Sequence, residues 1–424
     1  MKTHYIPVVI VGGSQAGLAA SYCLQQRGIE HIVFERNTVA NAWRDMRWNT
    51  FCLVTPNWQC TLPGFSYTEE YGGSDPDGFM LRDEIISYIE AYRAYFNPPL
   101  HEHTPVHSVT SHEAGFEVLA GDQRYLAADV IVATGAYHLP KLPGLSADLP
   151  THVLQLHSST YKDPAQLPPG DVLVVGSGQS GCQIAEDLHL AGRRVHLALG
   201  SAPRAPRRHR GRDVTAWLVD MGHYDITVDD HPQGEAVRHK TNHYMTGRDG
   251  GRDIDLRRFA LEGMQLHGRL QAVTEDQIEF DDTMLANLDA ADASAERIKQ
   301  EIDKWIAAND IHAPDAEPWF ACHQPEGGNS CISLGFDEPQ NLAAVIWATG
   351  FTSDYPWLEV AAFDEKQQID HWRGGSRQVD GLWVLGLPWM VTWGSGRFSG
   401  VGRDAQYVAT RISERNHQPQ ASSL

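Results

Sequence analysis

Two blocks of consecutive aliphatic residues, Pro7-Val8-Val9-Ile10-Val11 and Asp171-Val172-Leu173-Val174-Val175, stand out from an otherwise mixed chain. Uninterrupted runs of this kind mark strands covered on both faces in a parallel sheet, whereas alternation would mark a half-exposed strand. Each block runs into a glycine-rich turn, Gly12-Gly13-Ser14-Gln15-Ala16-Gly17 and Gly176-Ser177-Gly178-Gln179-Ser180-Gly181. Each turn opens into a segment of helical pattern, Leu18 to Leu24 and Cys182 to Leu190, and apolar strands follow at His31 to Phe34 and Val195 to Leu199. The chain therefore predicts the same strand, turn, helix, strand unit twice.

The turns carry a chemistry. Gly12 allows the tight bend, Gly17 lets helix and strand pack closely, and the free amides at the helix N-terminus suit a pyrophosphate. Glu35 ends the next strand about twenty residues on, where a carboxylate accepts hydrogen bonds from a ribose, and Arg36 follows it. Ser14 replaces the usual middle glycine, yet it is small enough for close backbone approach. Gly176, Gly178 and Gly181 complete the full pattern in the second unit, with Gln179 and Ser180 between them. No acid closes its second strand. Gly200-Ser201 is followed by Arg204, Arg207, Arg208, Arg210 and Arg212. A ribose 2′-phosphate would be repelled by a carboxylate and held by guanidinium groups, which predicts NADPH with Ser201 and Arg204 or Arg207 as contacts. The alternative is a solvated basic loop.

Two further apolar strands, Asp129 to Ala133 and Ala344 to Ala348, end in the same Ala-Thr-Gly, at Thr134-Gly135 and Thr349-Gly350, as return crossings between nucleotide units would. The predicted fold is α/β, two Rossmann-like dinucleotide-binding domains with the NADPH domain inserted in the FAD domain. The FAD domain takes residues 1–150, the NADPH domain 151–335, and the FAD domain returns over 336–424. Pro140, Pro143 and Pro150 punctuate the first crossing. An acidic, alanine-rich stretch predicts a long helix, Ala290 to Ala308, inside a helical insertion near 284–310, and a C-terminal helix runs from near Asp404 to Arg411. Asp404 is either beside the flavin or a helix N-cap. Gly247 to Asp253 reads as a flap or a surface turn, and Trp389, Trp393 and Phe398 as pocket wall or core.

The formal net charge of −20 disfavours nucleic acid and anionic membrane surfaces as partners. No apolar run is long enough to span a bilayer, so a cytoplasmic protein is expected. The six cysteines, at positions 23, 52, 60, 182, 322 and 331, include no CxxC pair. That separates the chain from a rival reading, a flavin disulfide reductase working through a dithiol. A non-catalytic nucleotide-binding protein is a second rival.

With both turns and both Ala-Thr-Gly segments in place, the chain resembles the class B flavoprotein monooxygenases, nearer the short bacterial and plant-type flavin-containing enzymes than the Baeyer–Villiger group. The family stretch FxGxxxHxxx(W/Y) is matched in part by Thr151 to Tyr161: His157 and Tyr161 agree, Thr151 and Val153 depart. The resemblance implies FAD and NADPH as cofactors and oxygen transfer from O2 through a C4a-peroxyflavin to a small organic substrate. A nitrogen or sulfur centre is the favoured target, with ketone oxidation and oxidative decarboxylation left open. It also implies that Trp43 and Arg44 lie on the adenosine side of the flavin and that Asn57 lies near its ring, where a carboxamide would shelter the adduct. Asn57 has a simple Pro-Asn turn as its other reading. His157 and Tyr161 would gate the cofactor, or His157 would link the domains. A homodimer is left open.

Overall fold

The computed structural model describes residues 2–316, 318–325, 332–336 and 341–417. The first aliphatic block is the core of β1 (Thr3–Val11), with Val8, Val9 and Ile10 fully buried. It leads into α1 (Gln15–Gln25) and β2 (His31–Phe34). After α2 (Arg82–Phe96) and β3 (Leu100–His101) the chain makes an antiparallel meander, β4 (Val106–His112), β5 (Gly115–Ala120) and β6 (Gln123–Val132). β6 lies parallel to β1, with Ile10 opposite Ile131 and Val11 opposite Val132.

The chain then leaves this sheet. β7 (Leu154–His157), β8 (Asp171–Val175), α3 (Gln179–Leu190), β9 (Val195–Ala198), β10 (Gln265–His267), α4 (Met284–Ala308) and β11 (Leu342–Trp347) follow. Their strands form a second, five-stranded parallel sheet in the order β7-β11-β8-β9-β10. The return puts β12 (Leu358–Glu359) beside β4 and β13 (Leu382–Val384) beside β6, and ends in α5 (Val401–His417) against α1. The first sheet thus runs β12-β4-β5-β6-β1-β2-β3, and a segment bearing its own parallel sheet sits between its two halves. This is the two-nucleotide-domain α/β architecture.

Two helices are longer than the pattern predicts. α4 begins at Met284 rather than Ala290, because Met284, Leu285 and Leu288 are buried and extend the apolar face by two turns. α5 begins at Val401, so Asp404 lies inside the first turn and is not the cap. No helix among the described residues is long and apolar enough to cross a membrane.

Candidate functional site

The first glycine turn is built by backbone crowding. Gly12 has φ +112°, and a Cβ there would lie 2.6 Å from the Ala133 carbonyl oxygen; one on Gly17 would lie 1.8 Å from the Gly12 oxygen. Only glycine fits either position. The Glu35 carboxylate is fastened to this turn, accepting from the Gly13 amide at 2.8 Å and the Asn37 amide at 2.9 Å. Arg36 beside it is exposed. Ser14 is extended and donates its hydroxyl to Gln15 Oε1 at 2.7 Å, so its side chain bends off the turn. Gln15 then joins two distant segments: Oε1 accepts from Trp43 Nε1 at 3.1 Å, and Nε2 donates to the Gly396 carbonyl at 3.4 Å. Trp43 stacks on Phe398 with centroids 5.8 Å apart. Ala16 is buried behind them. Arg44 turns outward to an ion pair with Glu90.

The second turn repeats the geometry. Gly176 has φ +104° with a Cβ position 2.7 Å from the Ala348 oxygen, and that of Gly181 lies 1.8 Å from the Gly176 oxygen. Gly178 differs, for nothing lies within 4 Å of where its Cβ would be. Packing does not require that glycine, whereas a ligand backbone approaching the helix N-terminus would. Gln179 clasps the Met245 peptide, accepting from its nitrogen at 3.2 Å and donating to its oxygen. Ser180 is half-buried at the start of α3, and Ser177 Oγ accepts from the Gly200 amide at 2.9 Å.

Ser201 is exposed, but Arg204 and Arg207 are not where a 2′-phosphate needs them. They are 2% and 1% exposed. Arg204 is ion-paired with Asp292 of α4 at 3.1 Å, and Arg207 with Asp213, while its Nη1 donates to the Val54 carbonyl at 2.8 Å. Arg210 and His209 share Asp303 of α4. The expectation that Arg204 or Arg207 holds the coenzyme phosphate is corrected accordingly: the carboxylates of Asp292 and Asp213 already neutralise them. Together they hold α4 to the 204–210 segment and tie that segment to the first domain.

The Ala-Thr-Gly segments sit beside their turns. Thr134 Oγ1 is buried without a hydrogen-bond partner, and both Gly135 (φ +75°) and Gly350 (φ +88°) have open space where a Cβ would be. Thr349 donates its hydroxyl to the Lys141 carbonyl. An orphaned hydroxyl beside open space is what a nucleotide cofactor would satisfy.

His157 is buried, and burial lowers its pKa, so the ring is neutral. The surrounding network assigns Nε2–H donating to the Gly350 carbonyl at 3.0 Å and Nδ1 accepting from Ser159, so the ring fixes Gly350 from beneath. Tyr161 is fully buried and donates to Asp187 Oδ2 at 2.7 Å. Asp187 also receives Thr50 and Arg248, and Gln183 donates to the Cys52 carbonyl at 3.1 Å, so α3 is latched onto the segment after Trp43. Gly247 to Asp253 belongs to this latch: Arg248 and Arg252 meet Asp187 and Glu186. His157 and Tyr161 are therefore positioning residues, which corrects the expectation of direct gating.

Asn57 is 3% exposed, with Nδ2 donating to the Asp75 carbonyl at 2.9 Å and Oδ1 accepting from the Met80 amide at 2.9 Å. Both ends of its carboxamide organise the 75–80 loop, so the structure favours the turn reading and corrects the catalytic one. Asp404 is buried against Ser395 in the loop before α5, and desolvation pushes its carboxyl up to about 6. Trp393 stacks on Tyr224 at 4.6 Å, while Trp389 packs on Val228 and Val237. The described cysteines are all free. Cys52 and Cys60 are buried, and burial pushes the Cys52 thiol up to about 12 and that of Cys60 higher still, the reverse of a reactive dithiol. Cys331 lies outside the described residues.

A mixed sheet and a fully parallel one, each with a helix N-terminus behind a glycine turn, define the class of two-dinucleotide-domain α/β proteins. The family profile described as pyridine nucleotide-disulphide oxidoreductase matches residues 9–297, and the chain belongs to that family. It is similar to an uncharacterized CzcO-like oxidoreductase of Geobacillus kaustophilus, 32% identical over 413 residues, 96% of this chain and 99% of that one. It is also similar to the indole-3-pyruvate monooxygenase YUCCA1 of Oryza sativa subsp. japonica, 32% identical over 197 residues, 44% of this chain and 46% of that one. A flavin monooxygenase structure from Stenotrophomonas maltophilia shares the fold, with a TM-score of 0.65 at 19% identity over 97% of this chain and 99% of that chain. The resemblance to flavin monooxygenases is borne out.

Proposed function

We propose that this flavoprotein is an NADPH-dependent FAD monooxygenase that places one oxygen atom from O2 on a small organic substrate, at a nitrogen or sulfur centre. The observation that carries this reading is the pair of glycine turns with no reactive dithiol beside them among the described residues: Cys52 and Cys60 are buried, and burial holds their thiols protonated. FAD fits the first turn, where Glu35 stands for the ribose and Thr134 Oγ1 lacks a partner. A nicotinamide coenzyme fits the second, where the Gly178 side leaves room. NADPH is preferred to NADH because β9 is followed by Gly200-Ser201, with no carboxylate to accept a 2′-hydroxyl.

When bound, the flavin supplies hydride acceptance and oxygen activation. The chain's own residues supply the frame. Gln15 and the Trp43–Phe398 stack close the wall beside the first turn, and the Tyr161–Asp187 latch holds the second helix against it. His157 sets the height of Gly350 at the crossing. Relatives named as indole-3-pyruvate monooxygenases support oxygen chemistry, and they keep oxidative decarboxylation as the second reading. The test is turnover under isotopically labelled dioxygen with amines, sulfides and 2-oxo acids. One labelled atom in product per NADPH supports oxygen insertion; NADPH oxidation that requires an added disulfide, with no label transferred, assigns reductase activity instead.

A further inference from the structure

Most arginines that lie over aromatic rings in this protein are also ion-paired: Arg204, Arg207, Arg212, Arg252 and Arg373 each meet a carboxylate. Among the described residues Arg47 and Arg397 lie over rings with no carboxylate within ion-pair distance. The Arg47 guanidinium is 5.3 Å from the Trp43 ring, 5.6 Å from Phe51 and 5.8 Å from Tyr137, and its one hydrogen bond goes to the Met46 carbonyl at 3.0 Å. Arg397 lies 3.9 Å from the Trp393 ring and donates to the Trp393 carbonyl and, at 3.1 Å, to Asn242 Oδ1.

The two segments are neighbours at the candidate flavin site. Gln15 binds both Trp43 and Gly396, and Trp43 stacks on Phe398, the residue after Arg397. Burial disfavours the charge of both guanidiniums; Tyr137, just past Thr134-Gly135, favours it in both, and Tyr224 favours it in Arg397 as well. Partly desolvated cations without counter-ions are costly, and a chain with net charge −20 has acids to spare for its other stacked arginines. A guanidinium held by a ring face presents its edge to a planar, bidentate partner, which is carboxylate geometry. Phosphates already have the amides of the two glycine turns.

We propose that Arg47 and Arg397 receive the carboxylate of the substrate, whose apolar body lies along Trp393 and Tyr224, so that the oxygenated compound is a small organic acid. This rests on the monooxygenase reading, but its test does not need turnover. FAD-loaded protein is titrated with phenylacetate and with phenylacetamide, reading the shift of the flavin absorbance band. The expected result is about tenfold tighter binding of the acid. Arg397→Gln should bring the two within about twofold while flavin content and NADPH affinity stay unchanged, and Arg397→Lys should restore part of the preference. Arg47→Gln carries the same test if Arg397→Gln loses flavin. Equal binding of acid and amide, or binding of neither, overturns the proposal. So does a variant that keeps the acid preference but loses NADPH affinity, which would assign the arginines to a coenzyme phosphate. If label transfer fails while the acid preference stands, the monooxygenase reading falls and the anion subsite remains.

Discussion

The Tyr161 hydroxyl donates to Asp187 Oδ2 across 2.7 Å, with both side chains buried, and so joins the segment after β7 to the helix that follows the second glycine turn. Removing the hydroxyl leaves Asp187 with Thr50 and Arg248. Tyr161→Phe should therefore cost about 1–3 kcal/mol of stability, as one donor lost from a buried carboxylate does, with FAD still bound. Urea unfolding followed by tryptophan fluorescence measures it. An unchanged midpoint together with lost turnover would return the hydroxyl to a direct role.

Gly178 separates ligand space from packing space. Its φ of −71° suits any residue, and nothing stands within 4 Å of a new Cβ. Gly178→Ala should fold with unchanged thermal stability and full flavin, yet bind NADPH about tenfold more weakly, because the methyl occupies the approach of the pyrophosphate. Gly181→Ala, with its Cβ 1.8 Å from the Gly176 oxygen, should fail to fold normally.

Arg204 is predicted to matter for the fold and not for coenzyme choice. Arg204→Met removes one of the two cations on Asp292 and leaves Arg257, and should destabilise by about 1–3 kcal/mol. The ratio of NADPH to NADH affinity should be that of the unaltered protein, checked by fluorescence titration of each coenzyme. A selective loss of NADPH would contradict the placement.

Asp404 gives a pH signature with a definite sign. Its carboxyl, pushed up to about 6 by desolvation, is above the usual value near 3.9, so the folded protein holds this proton more tightly than the unfolded chain. Its contribution to stability is present below about pH 4 and is lost as pH rises through about 6. Asp404→Asn keeps an oxygen for Ser395 and never ionises. It should be more stable than the parent by about 1–3 kcal/mol at neutral pH, with the difference vanishing near about pH 4. Unfolding midpoints at several pH values measure it; a constant difference would contradict the assignment.

The sequence displayed what depends on near neighbours. Uninterrupted aliphatic blocks, glycines at fixed offsets and Glu35 about twenty residues later are local signals, so both turns and the fold class were legible. The arginine cluster misleads because its partners lie far along the chain. Arg204 is answered by Asp292, and Arg210 by Asp303, both on α4. The basic segment and the acidic helix were two compositional oddities that cancel each other in space. Asn57 illustrates the opposite error, a side chain whose local role in the turn sufficed. Arg47 and Arg397 are silent in the sequence because their distinction is a missing counter-ion, visible only in three dimensions; the spacing of Trp43, Arg47 and Phe51 is the one local hint.

The central claim, a flavin and a nicotinamide coenzyme working without a protein dithiol, is tested most directly by anaerobic titration of FAD-loaded protein with NADPH while reactive thiols are counted. One NADPH should bleach each flavin completely, and the thiol count should not change. Uptake of a second equivalent with the appearance of new thiols, or a flavin that NADPH does not reduce, would contradict it.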